Sequence, residues 1–270
     1  MKPAKFEYHA PATLDAAIAL LAQYQGEARL LAGGQSLLPM MNFRLVTPAA
    51  IIDLNRIPDL GYIRAEAGTV RIGAMTRHRA VEFSPVIAEH LPLLAEAIKL
   101  VAHLPAAELP MVLQALEGEV VARSRNGERV IKAIDFFEGL MTTSLADDEM
   151  IAEVRFPVMS KQAGWAVEEF ARRRGDFAIA AIAAVVERSG ERCSKARLAT
   201  AGIGEVSARL TLAEEVIERD GLGDSAIAAA AAKAAHTVSP LSDQQASAEY
   251  RRHLTGVLTE RALRRARALH

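Results

Sequence analysis

The segment Ala32-Gly33-Gly34-Gln35-Ser36 carries residue types suited to holding an anion. Paired glycines reach φ > 0 and let a ligand come within hydrogen-bonding range of main-chain N–H groups. Successive N–H groups aimed into one concavity form an anion nest. The flanking residues agree with this. The apolar run Ala28 to Ala32 reads as a short buried strand, Ser36 as the N-cap of a following turn, and Pro39 as tolerated inside that turn. The positive end of such a turn favours a phosphate. An ordinary strand-to-turn connection uses the same glycines, so the segment alone leaves both readings open. It is not a dinucleotide fingerprint, because the third glycine and the ribose-binding acid are absent.

Other chemistry is thinly supported. Seven histidines are present, but none shows a His-Glu-x-x-His spacing, and no metal site is expected. No Gly-x-Ser-x-Gly occurs, so a hydrolase nucleophile has no support. No catalytic residue is assigned. Cys193 is the one cysteine, and an iron–sulfur cluster takes about four cysteine ligands; any such centre lies on another chain.

The elements that must position these residues follow from periodicity and punctuation. Thr13 caps a helix over 13–25 with Leu14, Ile18 and Leu21 on one face and Asp15 in its first turn. Strands are expected at 28–32 and near Ala50–Leu54. A hairpin is expected from Tyr62 to Ala74 around Ala67-Gly68. Residues 76–103 read as helical, with breaks at Ser84-Pro85 and Leu91-Pro92. Val120–Arg123 and Val130-Ile131 flank Asn126-Gly127, a pair suited to a type I′ hairpin turn. Strand Met150–Phe156 ends at Pro157, and a polar link over Val158–Ala163 suggests a boundary. Strands at 165–172, 177–187 and 194–201 form a small antiparallel sheet. Helices follow at 208–219, 225–235 and 247–269, the last burying Tyr250, Leu254, Val257 and Leu258. Arg172-Arg173-Arg174 reads as a solvated turn, with a docking patch or a cofactor-phosphate contact as the sharper idea. Arg261, Arg264, Arg265 and Arg267 suit the negative end of the final helix dipole.

At 270 residues, 51% hydrophobic and 24% charged, with net charge −1, the chain reads as a soluble globular protein of about two domains. The charge offers nothing for nucleic acid or a membrane surface. No apolar run approaches the ~18 residues of a membrane span, no signal-peptide pattern is present, and a cytoplasmic location is expected.

Taken together, Ala32-Gly33-Gly34-Gln35-Ser36-Leu37-Leu38-Pro39-Met40-Met41-Asn42, Ile52-Asp53-Leu54-Asn55-Arg56-Ile57 and Ile72-Gly73-Ala74-Met75-Thr76-Arg77-His78 resemble one family: the FAD-binding medium subunits of molybdenum hydroxylases, which include the flavin domain of xanthine dehydrogenase and the flavoprotein of carbon monoxide dehydrogenase. The similarity continues in order through Pro105-Ala106-Ala107-Glu108-Leu109-Pro110, Asp135-Phe136-Phe137, Glu149 to Pro157 and Gly175-Asp176-Phe177-Ala178-Ile179. The resemblance implies an α+β fold. A PCMH-type FAD-binding domain over 1–158, with subdomains 1–57 and 58–158, is followed over 163–270 by a small antiparallel sheet with helices, like the CO dehydrogenase flavoprotein C-terminal domain. Residue by residue it places Leu31, Ala32, Gly33, Gly34, Gln35, Ser36, Leu37, Thr76, Glu108 and Ile151 at FAD. Thr76 equally suits a helix N-cap, Glu108 a first-turn helix acid and Ile151 a strand core position.

One departure matters. The family carries a second flavin loop of the form Thr-Ile-Gly-Gly-Ser, and here Leu100-Val101-Ala102-His103 runs straight into Leu104-Pro105. Half the main-chain donors for the pyrophosphate are then missing. By resemblance the chain is the electron-transfer subunit of a hetero-oligomer. A large partner subunit binds the molybdenum cofactor, a small one holds the 2Fe-2S clusters, and electrons pass through FAD to an external acceptor. The alternative is a flavin-free scaffold or assembly subunit of the same fold.

Overall fold

The computed structural model describes residues 2–101, 108–173, 176–189 and 192–269. Ala102 to Ala107, Arg174 and Gly175, named above, lie outside the described residues.

The first subdomain runs β1 (Glu7–His9), α1 (Leu14–Gln23), β2 (Ala28–Leu31), α2 (Leu37–Asn42) and β3 (Ala50–Asp53). Its three strands are parallel in the order β1-β3-β2. Parallel strands need crossover connections: α1 joins the two outer strands β1 and β2, and α2 joins the neighbours β2 and β3. The Thr13 hydroxyl caps α1 by accepting from the Ala16 amide at 3.2 Å. Ala17, Ile18 and Leu21 then share a core with Ala50 and Ile52 of β3.

The second subdomain begins with β4 (Ile63–Glu66) and β5 (Thr69–Gly73), then α3 (His78–Glu82), α4 (Pro85–His90) and α5 (Pro92–Ala97). Pro85 and Pro92 each open their helix, where a missing N–H costs nothing. After α6 (Glu108–Ala115) come β6 (Glu119–Ser124), β7 (Gly127–Lys132), the short pair β8 (Phe137–Gly139) and β9 (Thr142–Thr143), and β10 (Met150–Pro157). The main sheet is antiparallel, ordered β4-β5-β10-β6-β7.

The β6–β7 hairpin closes one residue earlier than expected. Ser124 pairs with Gly127, so the loop pair is Arg125-Asn126. The Ser124 hydroxyl accepts from the Asn126 amide at 3.1 Å, a local competitor that seats the turn. The two positive φ values of a type I′ turn occur at the other hairpin, at Ala67 (48°) and Gly68 (78°).

The remainder holds β11 (Ala163–Phe170), β12 (Ala180–Ser189), β13 (Arg192–Ala201) and β14 (Ala208–Arg209), an antiparallel sheet in that order, then α7 (Thr211–Asp220), α8 (Asp224–Thr237) and α9 (Ala248–Ala268). Strand β12 is buried on both faces. Ala181, Ala183 and Val185 join the core under α5 and α6, and Ile182, Ala184 and Val186 join the core under α7, α8 and α9. The buried face of α9 is Leu254, Leu258, Ala262, Leu263 and Ala266. Tyr250 is exposed and meets Phe170 edge-on, contrary to the sequence reading, and Val257 is only partly covered. The arginines of α9 do more than complement its dipole. Arg265 pairs with Glu96 of α5 and with Glu168 of β11, and Arg267 donates to the Leu222 carbonyl at 3.0 Å and to Asp224 at 2.9 Å.

Candidate functional site

Strand β2 ends where Leu54 donates its amide to the Leu31 carbonyl at 3.0 Å, and the chain then turns through Ala32 to Ser36 into α2. Gly34 makes the turn possible, with φ at 73°. A Cβ there would sit 3.0 Å from both Leu31 Cδ1 and Leu38 Cδ1, whereas at Gly33 it would meet only Gln35 Cγ at 4.0 Å. Ser36 occupies the N-cap position, but its side chain makes no capping bond. The amides of Gly33, Gly34, Gln35 and Ser36 have no acceptor among the described residues. Four consecutive unpaired donors on one turn are what an anion nest requires.

The loop borders a cavity of about 490 Å³, within the ordinary range for small-molecule sites. Leu30, Ala32 and Leu54 wall it from the first subdomain, and β5, α6 and β10 from the second. Among the described residues, Thr76, His78 and Glu149 alone bring polar side chains to it. Arg129 holds the Glu149 carboxylate through Nε at 2.6 Å and Nη2 at 2.7 Å, and this pairing keeps its pKa below the usual range. Among the described residues the site therefore presents apolar surface suited to a flat ring, with His78 the one acid or base side chain beside it besides the paired Glu149. A bulge between Ile151 and Glu153 re-aims β10 at the cavity wall.

Of the residues expected from sequence, Ala32, Thr76 and Ile151 line the cavity, and Gly33 to Leu37 continue from Ala32 into α2. Leu31 lies in β2 beside its lining neighbour Leu30. Thr76 is not an N-cap, since Arg77 holds that position in α3. Its hydroxyl straps β5 to the preceding segment, donating to the Tyr62 carbonyl at 2.9 Å and accepting from the Tyr62 amide at 3.1 Å.

Glu108 does not line the cavity. It begins α6 with only 4% of its surface exposed, beside Glu169 of β11. Burial and the Glu108 carboxylate push Glu169 up to about 7, and one oxygen of each lacks a hydrogen-bond partner among the described residues. A buried and a half-buried carboxyl in contact hold one proton more readily than two charges. Glu169 contributes its full stability below an unfolded pKa near 4.5 and loses it as pH rises through about 7. Between pH 5 and 8 the chain should lose on the order of 2 kcal/mol from this pair. Thermal melts of Glu169→Gln should be flatter across that interval; a variant keeping the full slope would remove the shared proton.

Of the cavity residues without a site role in the sequence reading, Leu54, Phe136, Phe137 and Met150 fall inside the segments that carried the resemblance, whereas Val81, Leu94, Ile98, Leu113, Val120 and Leu145 do not. For the first four, position in those segments was the available signal.

Residues 4–105 and 100–159 match the family described as the FAD binding domain in molybdopterin dehydrogenase, and residues 165–266 match the CO dehydrogenase flavoprotein C-terminal domain. The first match falls in two pieces that meet at 100–105, where the sequence lacks the second glycine loop. The carbon monoxide dehydrogenase medium chain of Hydrogenophaga pseudoflava is 38% identical, with 98% of each chain covered. Caffeine dehydrogenase subunit beta of Pseudomonas sp. (strain CBB1) is 36% identical over 98% of this chain and 96% of that one. The fold superposes with a TM-score of 0.96 on carbon monoxide dehydrogenase from Hydrogenophaga pseudoflava lacking the Mo-pyranopterin moiety, covering 100% of this chain and 99% of that one. A flavin-domain match across the first half, a flavoprotein match across the second and full-length relatives above 30% identity agree: the chain belongs to the FAD-binding medium-subunit family of molybdenum hydroxylases.

Proposed function

We propose that this chain is the flavoprotein component of a cytoplasmic, multi-subunit molybdenum-containing dehydrogenase. It would take electrons from iron–sulfur clusters on a small partner subunit, while substrate is oxidised at the molybdenum cofactor of a large one. The observation that carries the reading is the run of unpaired Gly33, Gly34, Gln35 and Ser36 amides, which follows directly on Ala32, a wall of an apolar cavity of about 490 Å³.

These residues fit FAD at two points. The nest supplies donors for a diphosphate, and the apolar walls suit an aromatic ring system. Bound there, FAD would supply the redox chemistry itself. The chain's own residues bind, orient and exclude water: the amides hold the diphosphate, the strap from Thr76 to Tyr62 keeps the β5 wall in register, and Glu149 stays neutralised against Arg129. Cys193 is buried and takes no part. Among the described residues no helix is long and apolar enough to cross a membrane.

The missing second glycine loop favours one rival, a flavin-free scaffold. Titrating FAD into the purified full chain separates the two. Saturable binding with Kd near or below about 1 μM, some 8 kcal/mol, together with a yellow preparation, is the expected result. A colourless chain indifferent to FAD leaves the scaffold standing.

A further inference from the structure

The Ala32 carbonyl and the Gly33 N–H belong to one peptide unit, and in a trans peptide the two point in opposite directions. Whatever holds that oxygen therefore aims that amide. Asn55, two residues past β3, holds it: Nδ2 donates to the Ala32 carbonyl at 2.8 Å. We propose that Asn55 is a positioning residue for the glycine nest, clamping the Ala32 peptide so that the Gly33 N–H faces a bound diphosphate. This rests on the FAD reading above and extends it to residues outside the nest.

The side chain of Asn55 has one workable orientation. Oδ1 accepts from Arg77 Nη2 at 2.6 Å, and Nδ2 also donates to Asp53 Oδ1 at 2.6 Å. A half-turn of the amide would set its NH2 group against the guanidinium and its oxygen against two acceptors, so the network fixes the assignment. Asp53 is itself anchored. Its Oδ1 accepts the Asn55 main-chain N–H at 2.9 Å and its Oδ2 the Tyr8 hydroxyl at 2.5 Å. Against the opposing effect of burial, the bonds from Tyr8 and Asn55 hold the Asp53 carboxyl below its usual range, so it stays an acceptor at neutral pH.

The clamp spans both subdomains. Tyr8 and Asp53 lie on the parallel sheet, and Arg77 is the N-cap of α3 in the second subdomain. A shift between the subdomains would move Arg77, release Asn55 Oδ1 and loosen the loop. The geometry of the nest is thereby tied to the cleft that receives the ring.

The test uses the full chain with three probes: FAD, ADP (diphosphate without the ring) and riboflavin (ring without the diphosphate). Asn55→Asp is nearly isosteric and keeps a partner for Arg77, but it turns an oxygen toward the Ala32 carbonyl and Asp53 Oδ1. Its FAD and ADP affinities should fall about tenfold or more, and riboflavin should bind unchanged. Arg77→Leu, at an exposed side chain, should weaken FAD and ADP about three- to fivefold. If Asn55→Asp lowers the melting temperature, Arg77→Leu carries the decision. ADP binding by these variants as tight as in the unaltered chain overturns the clamp alone. An unaltered chain that binds neither FAD nor ADP overturns the FAD reading and the clamp with it.

Discussion

Gly34→Val is expected to weaken FAD binding about a hundredfold or more, some 2.7 kcal/mol, while leaving the ligand-free fold close to intact. The physical cause lies first in the backbone. Gly34 sits at φ 73°, where a left-handed backbone costs an L-residue roughly 1–2 kcal/mol and a β-branched one is a true outlier. Any Cβ would also stand 3.0 Å from Leu31 Cδ1 and 3.0 Å from Leu38 Cδ1; those leucine ends can give way, but valine cannot hold the left-handed backbone without strain. The loop must re-route, and with it the four amides. The three core clusters contain none of these loop residues, so the melting temperature should change little. Flavin absorbance after purification and a fluorescence titration would measure the loss. Gly33→Ala is the matched control, because its added methyl meets only Gln35 Cγ at 4.0 Å. Near-normal FAD affinity in Gly34→Val would sink the nest.

Gly73→Ala should instead act on stability, costing about 3 kcal/mol and lowering the melting temperature by roughly 10 °C. Gly73 ends β5 and walls the cavity. Its amide donates to the Tyr62 carbonyl at 2.9 Å, and two residues on, the Met75 amide donates to the Leu60 carbonyl at 2.8 Å. The backbone of 60–62 therefore lies directly against the glycine. A methyl there would overlap the Leu60 carbonyl, with its carbon at 2.8 Å and Tyr62 Cδ1 at 2.9 Å. Backbone cannot rotate out of the way as a flexible side chain can. Leu60 also belongs to the first subdomain's core, so the strain would spread along the connection between subdomains. Thermal or urea melts of the ligand-free chain would show it; an unchanged midpoint would mean the 60–62 segment yields freely.

The extent to which sequence foretold this molecule depended on the range of the interactions involved. Thr13, Pro85 and Pro92 act within one turn of themselves, and their helices begin where composition placed them. The Asn126-Gly127 reading failed because a hydroxyl two residues upstream reseated the loop, a contest between local bonds that residue type alone does not decide. Tyr250 was assigned to a buried face because periodicity gives spacing, while the facing sheet decides which rows are covered. Here the covered set includes Arg251, whose guanidinium donates to the Ile179 carbonyl at 2.7 Å and to Asp243 at 2.6 Å. The surroundings of Glu108 are set by a similar long-range contact. Its neighbour Glu169 is 61 residues away in sequence, and nothing local foretells that meeting. The glycine loop was legible because backbone freedom is written in residue type. Asn55 was not, since its bond reaches a carbonyl in the turn after β2, 23 residues away.

Strand β12 has a consequence for how such a chain can be divided. Its odd-numbered residues complete the core beneath α5 and α6, while its even-numbered ones serve the opposite layer. A stop codon in the link after Pro157 would leave Leu93, Met111 and Val112 facing water. It would yield a sticky half-protein in place of a portable flavin module. Shuffling of the gene at that seam is disfavoured by solubility alone, and the two halves are best inherited, transplanted or redesigned as one piece.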